Sequence, residues 1–234
     1  MSAISPIISY LPTNSFAVNS EADFVVQNES PETLCFARLP VGQKRMSLTA
    51  MLMAGGESRR MGVDKATMVF EGEWLWQKQI RLLKSLKPAE LWISARARPE
   101  WCPREAETII DAAPSCGPLS GIAAGLSQLR TSHLVVLAVD MPKMLPQHLT
   151  RLLDLASDRC GVVPRKANLF EPLCAVYPVE ASFAAGQALA RRGASLQSLM
   201  GDLLISKLVR AYDLSEAEIP LYRNLNTPDD LVEH

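Results

Sequence analysis

A chain of 234 residues with 48% hydrophobic and 21% charged residues has the balance of an ordinary globular protein. Its 24 Lys and Arg against 25 Asp and Glu leave a net charge of -1, so no whole-molecule field draws it to nucleic acid or an anionic membrane, and any anion site must be local. No apolar run of about 18 residues offers a transmembrane helix, and five cysteines without C-x-x-C spacing fit reduced thiols of a cytoplasmic protein better than a disulfide framework or a zinc site.

Residues 1–46 read as a mobile N-terminal extension. Prolines stand at 6 and 12, no period of 2 or 3.6 is sustained, and a secretory signal would need a basic n-region that is missing. Met46, ahead of SLTAML, also reads as a natural start, which makes 47–234 the working domain. LTAMLMA (48–54) is a short apolar run ended by Gly-Gly, as a buried parallel strand would be. Trp76, Ile80 and Leu83, widened by Leu75, Leu82 and Leu86, form the apolar stripe of a helix over 74–86, which Pro88 stops. LWIS (91–94) and ETIID (107–111) read as strands, and Pro118 opens a helix over 118–130. HLVVLAVD (133–140) is the most continuous apolar strand. A helix over 146–157, strands over 160–164 and 172–177, helices over 179–191 and 195–203 and a strand over 204–211 complete the domain. Alternating strands and helices predict a single-domain three-layer α/β/α sandwich around a mostly parallel, Rossmann-like sheet, with ligands at the carboxyl ends of its strands.

The loop after the first strand reads MAGGESRRMGVDKA (53–66). Gly55, Gly56 and Gly62 let backbone N–H groups approach a ligand closely, and Arg59, Arg60 and Lys65 add positive charge, the makings of a phosphate cradle or of a basic solvated turn. Walker spacing fails, since five residues separate Gly56 from Gly62 and Val follows, and G-x-G-x-x-G is absent. LAVDMP delivers Asp140 to a strand end, where it would hold Mg²⁺ beside substrate phosphates or cap a turn. Asp111 ends ETIID in the same way, ahead of a helix start at Gly117-Pro118. The three histidines lack metal spacing and no G-x-S-x-G elbow occurs. Arg191 and Arg192 read as a solvated helix end.

These residues together resemble the molybdenum cofactor guanylyltransferases, nucleotidyltransferases of the nucleotide-diphospho-sugar transferase fold type. The family opening LAGG-x-S-x-RMG-x-DK-A stands here as MAGGESRRMGVDKA. DAAPSCGPLSG, LAVDMP and NLNTPDDL (224–231) follow in family order, over about residues 48 to 232. Met53 replaces the family's usual Leu, and no asparagine follows the second strand near Ser94. The resemblance implies that the backbone of Met53, Ala54 and Gly55 holds the guanine nucleotide. It places Lys65 against the phosphates, Asp111 on the nucleotide, Asp140 on nucleotide and Mg²⁺, and Asn226 near the metal and pterin end, with Arg60 joining Lys65 to offset charge on the departing pyrophosphate. The implied reaction moves GMP from GTP to molybdopterin, with molybdoenzyme apoproteins or their chaperones as further partners. A CTP-dependent cytidylyltransferase is the nearest rival, with Gly-Gly and Asp64-Lys65 arguing against it; a sugar-phosphate nucleotidyltransferase would be a longer chain. A non-catalytic nucleotide-binding cofactor chaperone is the rival from another class.

Overall fold

The computed structural model describes residues 46–55, 64–110, 117–191, 193 and 195–225, all within the unit Val41–His234. Strand β1 (Leu48–Met53) is buried from Thr49 onward. Its side chains alternate: Ala50 and Leu52 join the core on one face of the sheet, Met51 and Met53 the core on the other. An apolar run enclosed on both faces is what a central parallel strand requires.

After a 3₁₀ turn (Lys65–Thr67), β2 (Val69–Phe70) and β3 (Glu73–Trp74) form a two-residue hairpin. Glu71 and Gly72 both take positive φ there, 52° and 81°, as such tight turns demand. Helix α1 (Leu75–Ser85) follows and ends where Lys87 turns left-handed before Pro88. Next come β4 (Glu90–Ala95), β5 (Glu107–Ile110), α2 (Pro118–Gln128), β6 (His133–Ala138) and α3 (Pro146–Leu155). Pro118 and Pro146 occupy first turns, where a missing N–H costs nothing. The chain continues through β7 (Gly161–Lys166), β8 (Leu169–Phe170), β9 (Cys174–Pro178), α4 (Ala181–Ala190), α5 (Leu196–Ile205), β10 (Val209–Asp213) and a closing 3₁₀ turn, Ile219–Tyr222.

Among the described residues the main sheet has the order β10-β7-β9-β6-β1-β4-β5, with β8 on β7. β1 pairs in parallel with β4 and β6. Helices α1 and α3 cover one face, and α2, α4 and α5 the other. The expected three-layer, mostly parallel sandwich is therefore present, with one refinement. β9, which overlaps the predicted strand 172–177, runs antiparallel between β6 and β7. Residues 167–173 are too few for the crossover that a parallel return from β7 needs.

The boundary expected near 203 also shifts. Ser195 and Ser198 form a reciprocal capping box, and α5 runs on to Ile205. Lys207, at φ 57°, closes it in a Schellman turn, with Leu208 N–H donating to the Leu203 carbonyl at 2.9 Å. The last strand consequently begins at Val209. Among the described residues no helix is long and apolar enough to cross a membrane.

Candidate active site

Two neighbouring strand ends build the site. β1 and β6 run in register, Met53 opposite Ala138, so their carboxyl ends finish side by side. Val139 N–H donates to the Met53 carbonyl at 3.1 Å, and Ala54 N–H donates to the Ser94 carbonyl at 3.0 Å, which ties the tip of β1 to both neighbours. Ala54 and Gly55 then line a cavity of about 440 Å³ with Asp64, Arg96 and Arg98. Arg98 is committed to protein oxygens: its guanidinium donates to the carbonyls of Pro103 and Ala106 and to Thr108 Oγ1, which shapes the β4–β5 loop.

Lys65 opens the 3₁₀ turn that follows Asp64, one of the residues lining this cavity. Asp64 fixes the turn with both carboxylate oxygens: Oδ1 accepts from Ala66 N–H at 3.0 Å and Oδ2 from Trp101 Nε1 at 2.9 Å. Trp101 in turn stacks on Trp76 at a ring separation of 5.4 Å. So held, Lys65 Nζ donates to Asp140 Oδ2 at 3.0 Å and to the Leu225 carbonyl at 2.7 Å. The two side chains are 22% and 20% exposed, sheltered enough for the charges to feel each other and open enough to meet a ligand. Asp140 is also gripped through its backbone, its carbonyl accepting from Leu225 N–H at 2.9 Å.

A second polar network fixes the segment that carries Leu225. His148 Nε2 lies 2.7 Å from Tyr222 Oη, and His148 Nδ1 lies 3.4 Å from Glu218 Oε1. Burial holds the His148 imidazole below its ordinary value, with Glu218 opposing and Arg151 assisting. Burial alone would raise the Glu218 carboxyl, but donors on Tyr212 and Ser215, with His148 nearby, outweigh it and hold the group at about 2. The closing 3₁₀ turn is thus pinned under α3 and β10, and Leu225 is delivered to the strand tips.

Residues 50–208 match the MobA-like NTP transferase domain. The chain belongs to the MobA-like NTP transferase family. A "Probable molybdenum cofactor guanylyltransferase" of Opitutus terrae is 35% identical over 79% of the chain and 93% of its own length. Among solved structures, the molybdopterin-guanine dinucleotide biosynthesis protein A of Archaeoglobus fulgidus superposes with a TM-score of 0.59 at 25% identity, covering 79% of this chain and 95% of its own. A nucleotidyl transferase of Methanothermobacter thermautotroptrophicus shares the fold alone, with a TM-score of 0.63 at 14% identity, over 81% and 95% of the two chains. The resemblance carried by MAGGESRRMGVDKA is borne out, and this MobA-like protein is a nucleotidyltransferase.

Of the site residues expected from sequence, Ala54 and Gly55 line the cavity, Met53 ends β1 opposite Ala138, and Lys65 and Asp140 meet each other. Arg60, Asp111 and Asn226 lie outside the described residues, as do Gly56, Arg59 and Gly62. Sequence reasoning passed over Asp64 as a cap, Trp101 as its anchor and the Leu225 carbonyl as a lysine acceptor. Asp64 carried a signal, an Asp just ahead of a short turn. Trp101 and Leu225 carried none, since one comes 37 residues later than its partner and the other acts through a main-chain oxygen.

The donor set can be weighed for a divalent cation. Lys65 engages only Oδ2 of Asp140, on a strand tip that remains partly open. Among the described residues no group of three or more His, Cys, Asp or Glu gathers at any point. That pattern does not fit a cation held by protein alone. It does fit Mg²⁺, which takes one or two carboxylates and completes its shell with water and substrate phosphates.

Proposed function

We propose that this protein transfers GMP from GTP to molybdopterin in the cytoplasm, forming molybdopterin guanine dinucleotide and releasing pyrophosphate. The observation that carries the reading is the 3.0 Å contact between Lys65 Nζ, in the 3₁₀ turn, and Asp140 Oδ2, just past the end of β6, together with a cavity of about 440 Å³ lined by Ala54, Gly55 and Asp64. The names of the relatives point to the same reaction.

In the transfer, an oxygen of the pterin's terminal phosphate attacks the α-phosphorus of GTP in line. The bond from that phosphorus to the α–β bridging oxygen breaks, and the electron pair leaves with pyrophosphate. Little covalent help is needed; positioning and neutralisation of charge dominate. Main-chain groups of Met53, Ala54 and Gly55 hold the nucleotide, and Asp111 contacts it further. Lys65 and Arg60 offset the charge that grows on the departing pyrophosphate. Mg²⁺ bound through Asp140 would supply neutralisation of phosphate oxygens and orient them. The family resemblance of NLNTPDDL assigns Asn226 to the metal and pterin end. Molybdoenzyme apoproteins or their chaperones would receive the product.

Purified protein with Mg²⁺, molybdopterin and either GTP or CTP tests the proposal through pyrophosphate release. Release with GTP and not CTP is expected. CTP preference would make the enzyme a cytidylyltransferase, and silence with both nucleotides would make it a nucleotide-binding escort for the cofactor.

A further inference from the structure

Gln79 breaks the logic of its own helix. The inward stripe of α1 is Leu75, Gln79, Ile80, Leu82 and Leu83, and Gln79 is fully enclosed at 0% exposure among these apolar neighbours. A glutamine amide offers two donors and one carbonyl acceptor. Here Nε2 donates to the Met141 carbonyl at 2.6 Å, while among the described residues Oε1 has no hydrogen-bond partner. A buried amide left half-satisfied is destabilising relative to an apolar side chain of the same shape. Nor does the Met141 carbonyl depend on Gln79, because Met144 N–H also donates to it, at 3.2 Å. Stability therefore gives no reason for an amide at position 79.

Its reach gives one. Met141 is the residue after Asp140, so the Gln79 bond ties the rigid helix α1 to the turn that carries the site carboxylate. Leu225 N–H grips the Asp140 carbonyl itself at 2.9 Å. The turn is thus held at two consecutive carbonyls, those of Asp140 and Met141, next to the Asp140 Oδ2 that meets Lys65. We propose that Gln79 is a positioning residue that aims the Asp140 carboxylate. The proposal rests on the reading of Asp140 as part of the nucleotidyl-transfer site.

Gln79→Met and Gln79→Leu in the full chain both remove the amide and keep similar bulk. Each is expected to leave the melting temperature unchanged or raised and to lower kcat about tenfold with little change in nucleotide KM, since small displacements of a reacting group are enough for losses of that size. In an Asp140→Asn background the same substitutions should alter the residual rate by less than about twofold, because nothing remains to be aimed. An equal loss in both backgrounds, an unaltered kcat, or a lowered melting temperature in both variants overturns the proposal. Crystal structures of the two variants give a reading free of any assay: the Lys65–Asp140 contact is expected to open from its 3.0 Å, and an unchanged contact overturns the aiming role. A wild-type protein that turns over neither GTP nor CTP would defeat the transfer reading alone, with the crystallographic comparison still deciding the placement of Asp140.

Discussion

At 3.0 Å from Asp140 Oδ2 and 2.7 Å from the Leu225 carbonyl, the Lys65 ammonium has two of its three donors engaged by the protein. Under the proposed function, incoming phosphate oxygens would compete for the same donors, so Lys65 is placed ahead of the ligand rather than recruited by it. Replacing it does two things together. It deletes the cation, and it leaves Asp140 an unpaired carboxylate facing incoming phosphates. Lys65→Ala is expected to keep its circular-dichroism spectrum and to lose turnover by about a hundredfold or more in the pyrophosphate assay, the loss typical of one preorganised electrostatic donor. Near-normal turnover would remove Lys65 from the mechanism. At this scale Lys65 and Asp140 were legible in the sequence, because a basic glycine turn and an acidic strand end are chemical signals in themselves. Trp101 and Leu225 were not, because a cap's anchor and a main-chain acceptor are chosen by proximity.

Among the elements, close packing decides where side chains are forbidden. A Cβ added to Gly161 would lie 2.0 Å from the Val176 carbonyl oxygen, a backbone atom of the antiparallel neighbour. Strands β7 and β9 would have to part. Gly186, inside α4, has nothing within 4 Å of the same addition. In urea denaturation Gly161→Ala should lower stability by about 2–3 kcal/mol, whereas Gly186→Ala should raise it by about 0.5–1 kcal/mol through helix propensity. Equal effects at the two positions would show that strand separation, not residue type, had been misjudged. The periodic stripe of α1 and the run HLVVLAVD declared their elements, since each needs an apolar face or two. The two-residue strands β2, β3 and β8 carry too little pattern to be seen, and the direction of β9 follows from the length of the connection before it.

For the whole molecule, the packing of the closing segment makes stability depend on acid. His148 and Glu218 sit where α3, β10 and the last 3₁₀ turn meet, with Arg151, Tyr212 and Tyr222 around them. Both groups bind protons more weakly folded than unfolded: His148 because burial lowers it from 6.5, Glu218 because its donors hold it at about 2 against 4.5. Their contributions are complete above the unfolded values and are lost as pH falls, first below 6.5 for His148 and then between 4.5 and about 2 for Glu218. Urea midpoints should accordingly fall from pH 7 to pH 5 and again below pH 4.5, and Glu218→Gln should flatten the second decline. A midpoint indifferent to pH over that range would contradict the network.

What the sequence by itself determined was the kind of protein: alternating apolar runs of strand and helix length, an α/β/α sandwich, and a cationic glycine turn whose motif belongs to nucleotidyltransferases. The runs and the sandwich are properties of composition and local period, the motif is a resemblance to known sequences, and all survive without coordinates. Only the tertiary structure decided that Lys65 and Asp140, 75 residues apart, touch. It also decided that Gln79 and Leu225 both brace the turn that carries Asp140. The physical reason is that a contact across the chain depends on register, crossover length and close packing, and none of these is a property of any short stretch of residues.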